Sequence, residues 1–227
     1  MTELVTCIIP CRNGVKTIER AVKSACDVGC DNVFVYDDGS SDGTADLLHQ
    51  LEQKYHQLKR FSLGIEIRAG VIFARNYLIS NVTDGLIIPL DADDVLLNVS
   101  DLYAAWELGT WVYGDYIEHS YGQSNHIKGS PDGVLPRKNV TGVTFLFHKS
   151  DWAWAGGYDP DFAYAEDYAF QCALTNAGVK PKYIETVVYG RYLSPDGNPR
   201  TTRAMMYWHF FHQLARSKYQ TLFAGTG

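Results

Sequence analysis

The chain has 227 residues, enough for one domain with a sizeable core. Apolar residues make up 46% of it and charged residues 20%, which excludes wholesale disorder. A formal net charge of −6 excludes a dedicated nucleic-acid binder, because a phosphate backbone needs a basic face. It leaves room for a small phosphate-bearing ligand whose counter-charge is a metal held by carboxylates.

Residues 4–10 read as a buried strand, apolar throughout and ended by Pro10. No basic region precedes it, and no stretch approaches the roughly 20 apolar residues that span a bilayer, so a cytoplasmic protein is expected. A helix over 15–28 follows, with Ile18, Ala21, Val22 and Ala25 on one face. Residues 32–36 form a second strand that ends at Asp37-Asp38-Gly39-Ser40-Ser41-Asp42-Gly43, and 44–55 a second helix with Asp42 as its expected N-cap. A weaker strand is expected over 60–67 and a helix over 71–81. A strand over 86–90 runs straight into Asp91-Ala92-Asp93-Asp94.

This alternation predicts an α/β fold with a mainly parallel, doubly wound sheet. Ligands bind such sheets beyond the carboxyl ends of the strands. Pro10 to Gly14, Asp37 to Asp42 and Asp91 to Asp94 all stand at such ends, so they are expected to converge.

Beyond residue 100 the rhythm changes. Strands are expected over 111–120 and 141–148, and a loop or hairpin over 122–138. A helix is expected over 166–177, an extended segment over 182–192 and a mostly helical stretch over 201–223. The five cysteines form no CxxC pair and read as reduced, mostly buried thiols rather than a zinc site.

Three carboxylates within four residues repel one another, and a divalent cation removes that cost. Oxygen ligands select Mg²⁺ or Mn²⁺, which could bridge a diphosphate. At the second motif, Asp38 is placed to accept hydrogen bonds from a nucleobase or ribose.

Together with Ala74-Arg75-Asn76, Gly156-Gly157-Tyr158-Asp159 and Ala165-Glu166-Asp167-Tyr168, these motifs resemble glycosyltransferase family 2 from about residue 4 to residue 192. The resemblance implies a single GT-A domain, the nucleotide-diphospho-sugar transferase fold. Residues 1–98 would bind the nucleotide-sugar, 99–200 the acceptor, and 201–227 would form a C-terminal helix. It implies an inverting transfer from a nucleotide-sugar, UDP-linked as first expectation, to a hydroxyl acceptor that is a carbohydrate, a lipid-linked molecule or a protein. Pro10, Arg12 and Asp38 would line the nucleoside pocket. Arg75 would serve the diphosphate or hold Asp38 and its neighbours. Asp91 and Asp93 would contact ribose and metal, and Asp167 would be the catalytic base. An ionised Asp167 at a helix N-terminus agrees with the helix dipole; Glu166 is expected to point elsewhere.

The sequence departs from the family pattern at Ser194, where relatives carry a histidine near the metal or diphosphate. Arg191, Arg200 or Arg203 could supply the missing positive charge, and His209 and His212 are further candidates. Trp154 and Tyr164 flank the expected base as candidate acceptor contacts. The aromatic 201–223 segment would pack on the domain, form a dimer contact or touch a membrane surface. The alternatives to a transferase are a sugar nucleotidyltransferase and a non-catalytic nucleotide-sugar-binding module. A nucleotidyltransferase would ordinarily open with a Gly-rich phosphate loop, which Pro10-Cys11-Arg12-Asn13-Gly14 is not.

Overall fold

Side chains alternate across a strand, and the first strand, β1 (Val5–Cys11), is apolar on both faces. Val5, Cys7, Ile9 and Cys11 join one core cluster and Ile8 joins another. A sheet buried on both sides follows, covered by helices on each. The computed structural model describes residues 3–64, 67–130, 142–163, 165–193, 213–215 and 217–219.

The helix α1 (Ile18–Asp27) buries the four residues its periodicity predicts: Ile18, Ala21, Val22 and Ala25. It packs on the first face of β1 and of β2 (Asn32–Asp37), where Val33 and Val35 meet it. Helix α2 (Thr44–Lys54) adds Leu48 and Leu51 to the same cluster. After β3 (Leu58–Phe61), helix α3 (Val71–Ser80) covers the opposite face, where Ile8, Phe34 and Tyr36 pack against Ala74, Leu78 and Ile79. Strand β4 (Leu86–Pro89) pairs in parallel with β1 and ends before Asp91.

Past the acidic cluster come β5 (Val95–Leu96), α4 (Ser100–Ala105), β6 (Thr110–Ser120), β7 (Gln123–Ile127) and β8 (Phe147–His148). Helix α5 (Lys149–Ala155), a 3₁₀ turn (Pro160–Phe162), α6 (Glu166–Asn176) and β9 (Lys180–Tyr192) complete the described elements. The main sheet has the order β3-β2-β1-β4-β8, parallel except for β8. A second sheet, β5-β9-β6-β7, holds the later strands.

The α/β class and the parallel sheet are as expected. The second sheet is the feature that periodicity does not show. Its central pair, β6 and β9, is parallel although 70 or more positions separate the partners, as in Thr110 with Lys180. The third strand begins at Leu58, before the expected 60–67, and Gly64 at φ 117° turns the chain after it. Of the expected strand 141–148, only Phe147–His148 is a strand, with Leu146 bridged to Val112. Of the expected loop or hairpin over 122–138, Gln123–Ile127 is β7, paired antiparallel with β6, and 131–138 fall outside the described residues. The short α4 and α5 are too brief for a helical period to register in the sequence.

Residues 213–215 and 217–218 are helical. Ala215 is fully buried, Tyr219 packs on Phe162, and Lys218 pairs with Asp159. This part of the expected C-terminal helix therefore lies against the domain; the rest of 201–223 falls outside the described residues. Among the described residues, no helix is long and apolar enough to cross a membrane.

Candidate active site

The loops after β1 and β2 are laced together. Asp38 N–H donates to Cys11 O at 2.8 Å, Asn13 N–H to Ser40 Oγ at 2.8 Å, and Ser41 N–H to Asn13 Oδ1 at 2.9 Å. Asn13 supports this path with a left-handed φ of 51°. The N-cap of α2 is Gly43, not Asp42 as expected. Asp42 Oδ1 instead accepts the Thr44 N–H at 3.1 Å, one residue ahead of the cap.

These loops and the end of β4 enclose a cleft of about 380 Å³. Pro10, Arg12, Asp38, Asp91 and Asp93 all line it, so the three motifs do converge on one sheet edge. Asp38 is nearly buried, and its carboxylate accepts Ala69 N–H at 2.6 Å and Gly70 N–H at 3.1 Å. It thereby fixes the N-terminus of α3, whose N-cap is Gly70.

Asp91, Asp93 and Asp94 each offer a carboxylate oxygen, and these oxygens lie within 4.8 Å of one another. Burial and the neighbouring Asp91 push the Asp93 carboxyl above its ordinary range, with Arg191 and Arg20 opposing. Asp94 is also pushed up, by burial and by Asp91 and Asp93, although the Tyr192 N–H bonds its Oδ1 at 2.9 Å. An oxygen-only cluster that resists carrying its full negative charge fits a hard divalent cation such as Mn²⁺ or Mg²⁺. Asp91 and Asp93 line the cleft, whereas Asp94 is buried and tied to β9.

Arg75 stands elsewhere than expected. Its side chain is 1% exposed, and it reaches Asp91 Oδ1 at 3.0 Å through Nη2 and Glu166 Oε1 at 2.9 Å through Nη1. It neither holds Asp38 nor presents a face to the cleft. The next residue, Asn76, ties α3 to the Gly156-Gly157-Tyr158 segment. Its Oδ1 accepts Tyr158 N–H at 2.8 Å and Trp152 Nε1–H at 2.9 Å, and its Nδ2 donates to Tyr158 O at 2.8 Å. Gly157, at φ 75°, allows this: a Cβ there would sit 3.0 Å from Asn76 Oδ1 and from Trp152 Nε1.

Glu166 and Asp167 open α6. Glu166 does not point away from the site but joins the Arg75 pair, and burial lifts its carboxyl to about 7 despite Arg75. Asp167 is half-buried, and its Oδ1 accepts the Tyr168 N–H at 2.7 Å. Its charge acts on Arg75, Tyr158 and Glu166, so it shares their neighbourhood.

Trp154 is 78% exposed and donates its Nε1–H to Ala177 O at 3.1 Å. Trp152, two residues earlier on α5, instead lines a second groove of about 1250 Å³ along the outer face of α3. Tyr164, Ser194, Arg200, Arg203, His209 and His212 lie outside the described residues. Arg191 is described, and its Nη1 stands 3.5 Å from Glu118. A residue that sequence reading overlooks is Arg20, on α1, whose guanidinium donates to the backbone carbonyl of Asp93. Only the fold brings these two together, and no motif marks the arginine.

Sequence comparison with curated proteins gives no match. Among solved structures, the chain is similar to TarS of S. aureus, with TM-score 0.70 and 17% identity over 95% of this chain and 39% of that one. It is similar to GalNAc-T7, crystallised with UDP, GalNAc and Mn²⁺, with TM-score 0.72 and 16% identity over 96% of this chain and 49% of that one. It is also similar to the mannosyltransferase PcManGT of Pyrobaculum calidifontis, in complex with GDP-Man and Mn²⁺, with TM-score 0.67 and 15% identity over 100% of this chain and 76% of that one. These likenesses show the fold, and the chain spans less than half the length of the first two. The family model described as Glycosyl transferase family 2 matches residues 6–148. With its GT-A fold and a match over more than half its length, the chain belongs to glycosyltransferase family 2.

Proposed function

We propose that the protein is an inverting, divalent-metal-dependent glycosyltransferase that moves a sugar from a nucleoside-diphosphate donor, UDP-linked as first expectation, to a hydroxyl acceptor. The observation that carries this reading is the meeting of Asp91 and Asp93 with Pro10, Arg12 and Asp38 in one cleft at the sheet edge. The UDP, GDP-Man and Mn²⁺ in the complexes of TarS, GalNAc-T7 and PcManGT support it.

Pro10, Arg12 and Asp38 bind the nucleoside, with Asp38 also keeping the entry to α3 in place. Asp91 and Asp93 hold Mn²⁺ or Mg²⁺, which when bound neutralises charge on the diphosphate. Asp167 takes the acceptor's proton as the hydroxyl oxygen bonds to the anomeric carbon. The bond from that carbon to the diphosphate oxygen breaks, and the electron pair leaves with the nucleoside diphosphate.

Glu166 is the second candidate for the base, favoured by its place beside Asp167 at the start of α6 and by a carboxyl lifted to about 7. Its contact with Arg75 weighs the other way, since that cation already occupies one carboxylate oxygen.

The test is turnover of UDP- and GDP-sugars with Mn²⁺ over an acceptor panel, read as released nucleoside diphosphate. Release that stops with a chelator is the expected result. Nucleotide binding without release across the panel would instead mark a binding module, and release of pyrophosphate a nucleotidyltransferase.

A further inference from the structure

Of the described arginines around the acidic cluster, Arg75 is buried against two carboxylates and Arg191 stands by Glu118. Arg20 differs. It is exposed, and no described carboxylate lies within 4.0 Å of it. It is nevertheless held at the cluster by two contacts. One of its N–H groups donates to the Asp93 carbonyl, and its guanidinium carbon lies 3.8 Å from the centre of the Tyr192 ring.

Tyr192 is itself fixed to the cluster, since its N–H bonds Asp94 Oδ1 at 2.9 Å, and His119 stacks on its ring at 4.3 Å. Thr17, three residues before Arg20, lines the donor cleft. The result is a cation beside Asp93, a residue that lines the cleft, held there by a backbone carbonyl and an aromatic face. Its bond to the Asp93 carbonyl leaves the Asp93 carboxylate for a metal. A guanidinium has five N–H donors, and the Asp93 carbonyl uses one of the five. The remaining donors suit phosphate oxygens, which arginine binds in bidentate fashion.

We infer that Arg20 is a diphosphate-binding residue, contributed by α1, that grips the nucleoside-diphosphate end of the donor and its leaving group. This rests on the donor-site reading above.

The test is calorimetric titration of UDP and UMP, with GDP and GMP in parallel, in the presence of Mn²⁺, into wild type, Arg20→Ala and Arg20→Lys. Losing a charge-assisted contact to the second phosphate weakens UDP or GDP binding to Arg20→Ala about tenfold, and the monophosphate about twofold or less. Lysine restores part of the loss. Losing its two surface contacts lowers the thermal midpoint of Arg20→Ala by no more than about 2–4 °C, and the titrations are run well below it. Unchanged diphosphate affinity in Arg20→Ala, or equal losses for mono- and diphosphate, overturns the assignment. If wild type binds no diphosphate, the donor-site reading falls and takes this inference with it.

Discussion

Arg75 and Glu166 lie 91 positions apart in the chain, yet Nη1 of the first is 2.9 Å from Oε1 of the second. The same guanidinium holds Asp91 at 3.0 Å, so one buried cation joins the acidic cluster to the start of α6. Removing it leaves the half-exposed Asp91 and the mostly buried Glu166 without their counter-charge. Arg75→Met is expected to lower stability by about 2–3 kcal/mol, less than the loss at a fully buried pair because Asp91 keeps solvent access. Adding Glu166→Gln to it costs less than the sum of the single changes, because the two residues share one interaction. Urea unfolding of the four proteins measures this cycle, and additive effects would dissolve the pair.

Glu166 also makes a prediction about pH. Its carboxyl is lifted from an ordinary 4.5 to about 7, first by burial and then by Asp167 and Asp91, with Arg75 opposing. The folded protein therefore holds a proton that the unfolded chain has released between those values. That contribution to stability is fully present below 4.5 and is lost as pH rises through about 7. Thermal midpoints of wild type and Glu166→Gln between pH 4.5 and 8 are expected to differ in slope, with wild type falling more steeply. Parallel curves would contradict the shift.

Asp167→Asn tests the assignment of the base. Transfer is expected to fall by about 10²–10⁴-fold, with nucleotide affinity unchanged within about twofold. Glu166→Gln, in the same assay, is expected to retain more turnover than Asp167→Asn. The reverse order would move the proton acceptor to Glu166.

Asn76 makes three hydrogen bonds to a segment about 80 residues further on, through Trp152 and both backbone groups of Tyr158. Asn76→Ala is expected to destabilise by about 3 kcal/mol, near 1 for each bond. Gly157→Ala is destabilising as well, because a Cβ at φ 75° meets Asn76 and Trp152 at 3.0 Å. Denaturant unfolding checks both, and a change below about 0.5 kcal/mol in either would show that the junction relaxes.

Much of the donor half is legible in the sequence, because each of its motifs ends a strand that is apolar on both faces. Residues 10–14, 37–42 and 91–94 meet at one edge as the alternation predicts. What escapes is set by pairing across long stretches of chain. The parallel partnership of Thr110 with Lys180 leaves no local period, so the second sheet is invisible until the chain is folded. The same holds for side chains whose partners are remote. The sequence motif points Arg75 to Asp38 or the diphosphate, whereas the fold sets it on Asp91 and Glu166, and Arg20 finds the carbonyl of Asp93 from 73 positions away. On α5, Trp154 is exposed, and helical geometry sets Trp152, two residues before it, toward the groove.

The most direct measurement is calorimetric binding of UDP, GDP and dTDP, with Mn²⁺ and with chelator, to wild type and Asp93→Asn. Binding of one of these nucleotides that needs Mn²⁺ and weakens at least about tenfold in Asp93→Asn is the predicted result. Binding indifferent to chelator and to Asp93, or no binding of any of the three, would contradict a metal-dependent donor site at the end of β4.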